Sequence, residues 1–228
     1  MIQKMGGRSG SSGGGGGTRV YEKSGGYIDL SDNPLMYGNN DEALSGLRRE
    51  KIVEFEEKYA DAKIEHSRVV DKDGNIYSER KGKAGSVEMV KKQGETGQTG
   101  SHNHPREPGV LGGTFSGADV KIFSQKEYDT LRARAKEGTY SISKKENFNA
   151  DGLIQYEKKF TEVLKKEYRD NNNRVKQQYK KGEITLVQAI EQQNKNFNSY
   201  LVKRHNAFIS GKQEYGYNYV LERPRRRK

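Results

Sequence analysis

The chain has 228 residues, of which 31% are hydrophobic and 32% charged, with a formal net charge of +11. That length allows one ordinary domain with appendages, and so low an apolar fraction allows only a small core. The absence of Cys excludes disulfides, thiolate metal sites and cysteine nucleophiles, so any metal must be held by His, Asp or Glu. Residues 6–17 are nearly all Gly and Ser, a composition that cannot offset its own ordering entropy, and a disordered arm is expected over residues 1–40. No apolar stretch follows the first positive charges, and no run approaches the roughly 18 apolar residues of a membrane span. The chain therefore reads as soluble and intracellular, with no membrane partner.

From Asp41, apolar residues at Ala43, Leu44, Leu47, Ile52, Phe55 and Tyr59 predict a helix ending before Asp61. Ile64 to Val70, a turn carrying Asp73-Gly74, and Ile76-Tyr77 predict a β-hairpin. Residues 80–100 are rich in Gly, Lys, Gln and Thr, and only Val87 to Val90 predicts a short strand or helix there, with a mobile loop after it. Ser116 caps a predicted helix through Val120, Ile122 and Phe123, Gln125 to Lys136 predicts another helix, and Thr139 to Ser143 alternates like a strand. Two long helices follow, about residues 151–181 and 185–210, paired antiparallel across Gly182. Tyr215 to Leu221 predicts a last strand that returns to the sheet. The expected fold class is α+β, in five parts: the arm to residue 40, a core over 41–145, a helical hairpin over 146–212, a final strand over 213–222 and a basic tail over 223–228.

The chemistry concentrates in Ser101-His102-Asn103-His104-Pro105 and Ser116-Gly117-Ala118-Asp119. Two His separated by one residue on extended backbone project to the same side, and an Asp in the first turn of a helix can face them across a loop. Two neutral imidazoles and one carboxylate leave a zinc ion a fourth position for water, the arrangement of a catalytic site. Taken alone, Ser116 and Asp119 are also a helix-capping pair in which each side chain bonds the other's backbone N–H. His66 and His205 read as non-ligands, and the contiguous His102-Asn103-His104 does not match the dispersed residues of HNH nucleases.

The H-x-H followed by S-x-x-D resembles the JAMM (MPN-type) zinc metallopeptidases, and His102-Asn103-His104-Pro105 especially their RadC-like and phage-associated branches. The resemblance covers about residues 60–145 and implies a small mixed sheet of the cytidine-deaminase-like kind with flanking helices. It implies that His102, His104 and Asp119 bind one Zn²⁺, that Glu65 is the general base toward zinc-bound water, and that Ser116 stabilises the oxyanion. Glu65 takes that role because it opens the first core strand; Glu79 and Glu88 also lie upstream. The implied activity is hydrolysis of a peptide or isopeptide bond in a protein or peptide substrate, in the cytoplasm of a bacterial or phage-infected cell or on a virion. Two features differ from the family. Gly109 to Gly113 lengthens the loop between His104 and Ser116, and Gly94 to Ser101 holds no aliphatic residue, so a loose site on a weak strand is expected.

The alternative is a non-catalytic structural or binding protein of phage type, with a degenerate JAMM fold and a phage or host protein as partner. The charge of +11 raises nucleic acid as a partner through Arg225, Arg226 and Arg227. Most of the basic residues are interleaved with Glu and Asp on predicted helices, which disfavours that reading.

Overall fold

A computed structural model describes residues 19–21, 27–29, 35–38, 44, 46–105 and 110–223. Among them the architecture is α+β, a six-stranded mixed sheet with helices on both faces and a separate two-stranded sheet. The small sheet pairs β1 (Arg19–Tyr21) antiparallel with β2 (Tyr27–Asp29). The main sheet comprises β3 (His66–Val70), β4 (Ile76–Lys81), β5 (Gln98–Asn103), β6 (Tyr128–Ala135), β7 (Gly138–Lys144) and β8 (Tyr217–Glu222), in the order β4-β3-β5-β6-β7-β8. All its pairings are antiparallel except that of β5 with β6. Such a parallel pair needs a crossover, which α2 (Gly117–Phe123) supplies.

Alternation along the strands divides the sheet into two unlike faces. On one face Leu131, Ala133, Tyr140, Ile142, Tyr219 and Leu221 join Leu153 of α3 (Ala150–Lys180) and Val202 and Phe208 of α4 (Leu186–Gly211) in the main core. The other face is covered by α1 (Gly46–Lys58) and is polar at its centre. There Glu56 of α1 accepts from Nε and Nη2 of Arg132 at 2.7 and 3.1 Å and from Ser101 Oγ at 3.0 Å, while Glu222 takes the rest of the Arg132 guanidinium. Burial alone would raise the Glu56 carboxyl; the guanidinium outweighs it and holds that pKa below its ordinary value.

This polar face explains the largest departure from expectation. Residues 128–135 are a buried central strand rather than part of a helix over 125–136, because Leu131, Ala133 and Ala135 fill the core face while the two Glu neutralise Arg132 on the other. The Lys, Glu, Arg and Ala that give the segment helical propensity are overruled by tertiary pairing on both edges. In β5 all six residues are buried although none is aliphatic. On its back face Ser101 donates to Glu56, and on the front a Cβ at Gly100 would stand 2.5 Å from Met89 Sδ. Val87 to Val90 forms neither strand nor helix; its carbonyls accept from Ser67 Oγ at Glu88, from Ser78 Oγ at Val90 and from the Tyr128 hydroxyl at Met89.

The helix expected from Asp41 begins at Gly46. Residues 1–18 of the expected arm lie outside the described residues, and its later part is not all loose. Leu35 is buried, and Gly38 N donates to Leu221 O at 2.9 Å. The two long helices, the Gly182 turn at φ +72° and the returning last strand stand where periodicity placed them. No helix among the described residues is long and apolar enough to cross a membrane.

Candidate metal centre

The site forms where β5 ends beside the start of α2, the carboxyl end of a parallel strand, where sheets of this kind commonly place ligands. His102 is the last residue but one of β5 and His104 follows it by one turn of the pleat, so both rings emerge on the core face. His102 Nε2 lies 2.8 Å from His104 Nε2 and 3.4 Å from Asp119 Oδ1. One ligand atom from each of the three residues falls within 4.8 Å of the others, and all three side chains are buried. This group can hold a metal ion.

The donor set has the chemistry of a cation site. His104 Nδ1 lies 2.9 Å from Gly113 O, and a carbonyl only accepts, so Nδ1 carries the proton and Nε2 presents its lone pair inward. With zinc–nitrogen bonds near 2.0–2.1 Å, tetrahedral ligand atoms stand about 3.3 Å apart. The His102–Asp119 separation matches that edge, and the His102–His104 separation needs to open by about half an ångström.

Asp119 divides its carboxylate between two tasks. Oδ2 accepts from Ser116 N at 2.6 Å and from Ser116 Oγ at 2.7 Å, and Asp119 N donates to Ser116 Oγ at 3.3 Å, a complete capping box. Oδ1 is left facing His102. Capping and ligation, which compete as explanations of the sequence, coexist in one side chain.

Glu65 precedes β3, is buried, and holds a place in the sheet through Glu65 N to Lys83 O and Gly82 N to Glu65 O, both 2.8 Å. Ser67 pairs with His102, and the same antiparallel register carried two residues back sets Glu65 opposite His104, on the face of the imidazoles. Asn103 fixes that start of the strand, accepting from His66 N at 2.6 Å and donating to Ile64 O at 3.0 Å. Glu79 instead faces α1 and binds Arg68 at 2.6 Å, and Glu88 is exposed. His66 stacks on Tyr59 at 3.9 Å, and His205 Nδ1 pairs with the Tyr219 hydroxyl at 2.9 Å. Arg225, Arg226 and Arg227 lie outside the described residues. Asp71, Asp73 and Glu95 also cluster, but Asp71 Oδ1 accepts from Asp73 N and Asn75 N, while Lys72 and Lys92 pair with the other two carboxylates, as in an ordinary charged turn.

Sequence reasoning misses the residues that hold the loop between His104 and Ser116. Leu111 N donates to Asn198 Oδ1 at 2.8 Å, Gly113 N to Glu137 Oε1 at 3.0 Å, Tyr219 Oη to Thr114 Oγ1 at 2.8 Å, and Arg204 Nη2 to Phe115 O at 2.6 Å. Gly112 N also donates to Glu137, and Tyr140 Oη completes that buried carboxylate at 2.8 Å. By gripping two successive amides, Glu137 aims the Gly113 carbonyl at His104. The segment Val110–Gly113, which in sequence only lengthens a loop, is thus a buried clamp.

No family model, curated protein or solved structure matches the chain.

Proposed function

We propose that the chain is a zinc-dependent hydrolase of the JAMM type, cleaving a peptide or isopeptide bond. The observation that carries the reading is the convergence of His102 Nε2, His104 Nε2 and Asp119 Oδ1, with His104 Nδ1 and Asp119 Oδ2 each held from behind. Two imidazoles and one carboxylate form a mixed set suited to zinc, and three protein ligands suit catalysis better than a structural role. When bound, zinc supplies Lewis acidity and brings the pKa of water to about 7.

The chain's own residues supply the remaining steps. Glu65, on the sheet face of the imidazoles, accepts the proton of the attacking water and returns it to the leaving amine. Ser116 steadies the developing oxyanion once its hydroxyl turns from Asp119 Oδ2 to the substrate oxygen. Purified chain reconstituted with zinc is expected to hold about one equivalent by elemental analysis, and His104→Ala none. A wild type that takes up no metal sinks the reading.

The second reading, a non-catalytic assembly protein, is favoured by one contact: the Ser116 hydroxyl already donates to Asp119. Under it, Glu65→Gln leaves every phenotype intact and removal of residues 223–228 abolishes partner binding. Under the hydrolase reading Glu65→Gln keeps its zinc and loses turnover by a hundredfold or more, the order expected for a general base.

A further inference from the structure

Between the clamped loop and the helical hairpin lies a cleft of about 310 Å³. Ser116 and Gly117 form one wall, and the half-buried rings of Tyr168, Phe197 and Tyr200 form the other. We propose that this cleft binds an uncharged aromatic side chain of the substrate, next to the bond cut at the metal centre. The inference rests on the hydrolase reading and names the substrate class.

Position comes first. Ser116 is both cleft wall and partner of Asp119, so whatever fills the cleft is next to the metal ligands. Size comes second: pockets for small ligands begin at about 300 Å³, so this one suits one large side chain with its flanking backbone. Gly112 and Gly117 line the cleft without side chains of their own.

Chemistry selects the side chain. Ring centroids lie 5.7 Å apart for Tyr168–Phe197, 5.6 Å for Tyr168–Tyr200 and 6.1 Å for Phe197–Tyr200, a half-buried aromatic cluster along the cleft against which a further ring can pack. Aromatic surfaces also attract cations, and the charges of the cleft decide between the two. Arg204 is neutralised by Glu157 at 2.9 Å, and it also donates to Phe115 O and Thr161 Oγ1. Lys165, exposed at the margin, is left as the excess charge, and it repels a cationic side chain while tolerating a neutral one.

The test titrates N-acetyl-phenylalanine amide, N-acetyl-alanine amide and N-acetyl-lysine amide into the isotopically labelled full chain and follows its aromatic resonances. The phenylalanine amide is expected to bind at least tenfold more tightly than either of the others and to shift Tyr168, Phe197 and Tyr200. Phe197→Leu and Tyr200→Leu are expected to erase the preference, and Lys165→Glu, at an exposed position that leaves folding intact, to raise lysine-amide affinity several-fold. Equal affinities for the three amides, or an unchanged preference in the folded variants, overturn the proposal. Zinc content is measured on the same samples. A chain that prefers the phenylalanine amide but takes up no metal upholds the aromatic cleft and overturns the hydrolase reading. A chain that takes up zinc without any preference does the reverse.

Discussion

At the scale of single residues, the arrangement of His102, His104 and Asp119 depends on groups outside that trio. Glu137 acts through the peptide units of Gly112 and Gly113, and an amide in its place sets an N–H donor where Oε2 accepts from Gly112 N at 3.3 Å. Glu137→Gln is expected to weaken zinc affinity 10- to 100-fold, the usual effect of losing an outer-shell partner, as read by competition with a chromophoric chelator. Gly113 has φ +77°, and a Cβ there would stand 2.5 Å from Leu201 Cδ2. Gly113→Ala is expected to lose about 1–2 kcal/mol from backbone strain alone, measured by urea unfolding, with metal affinity falling alongside. The convergence of His102, His104 and Asp119 was legible because it rests on local patterns: His spaced by one on a strand, and an acid in a first helical turn. Glu137, Asn198, Arg204 and Tyr219 were not, since they reach the centre through main-chain groups that carry no side-chain signature.

At the scale of elements, β6 teaches the most about what local sequence conceals. Its Arg132 falls in a stretch that reads as helix, yet it is buried in a strand between Glu56 and Glu222. A strand that carries charge inward can be recognised only when its partners are known, and those lie 76 and 90 residues away. Removing one member of such a pair leaves the other charge buried. Glu56→Ala is therefore expected to lower unfolding free energy by about 3 kcal/mol, because Glu222 retains part of the guanidinium; guanidinium chloride titration measures it. The hairpin was legible for the opposite reason, as its packing repeats every three to four residues and its turn carries Gly182.

At the scale of the whole molecule, two buried groups set how stability responds to acid. Burial holds the His205 imidazole down to about 4, against a backbone contact from Met36 that raises it. Unfolded His titrates near 6.5, so between about pH 6.5 and 4 the unfolded chain binds a proton that the folded one does not. Stability should fall across that window, by on the order of 3 kcal/mol, and His205→Phe should flatten the thermal midpoint profile there. Glu56, whose folded pKa is depressed, adds a further loss as pH drops below its unfolded value near 4.3. The α+β class and the order of elements after residue 137 were legible from periodicity; the burial of polar side chains on both sheet faces was not, because charge and Gly signal exposure until they are paired. Besides Glu137, the groups that grip the loop between His104 and Ser116 come from Asn198, Arg204 and Tyr219, some 80 or more residues further along. In a growing polypeptide both imidazoles and the carboxylate are therefore made well before the groups that would hold them together around a cation. Chains truncated before residue 198 are expected to take up little or no zinc, and uptake is expected only once residues 198–219 are present, as read by elemental analysis of the two sets.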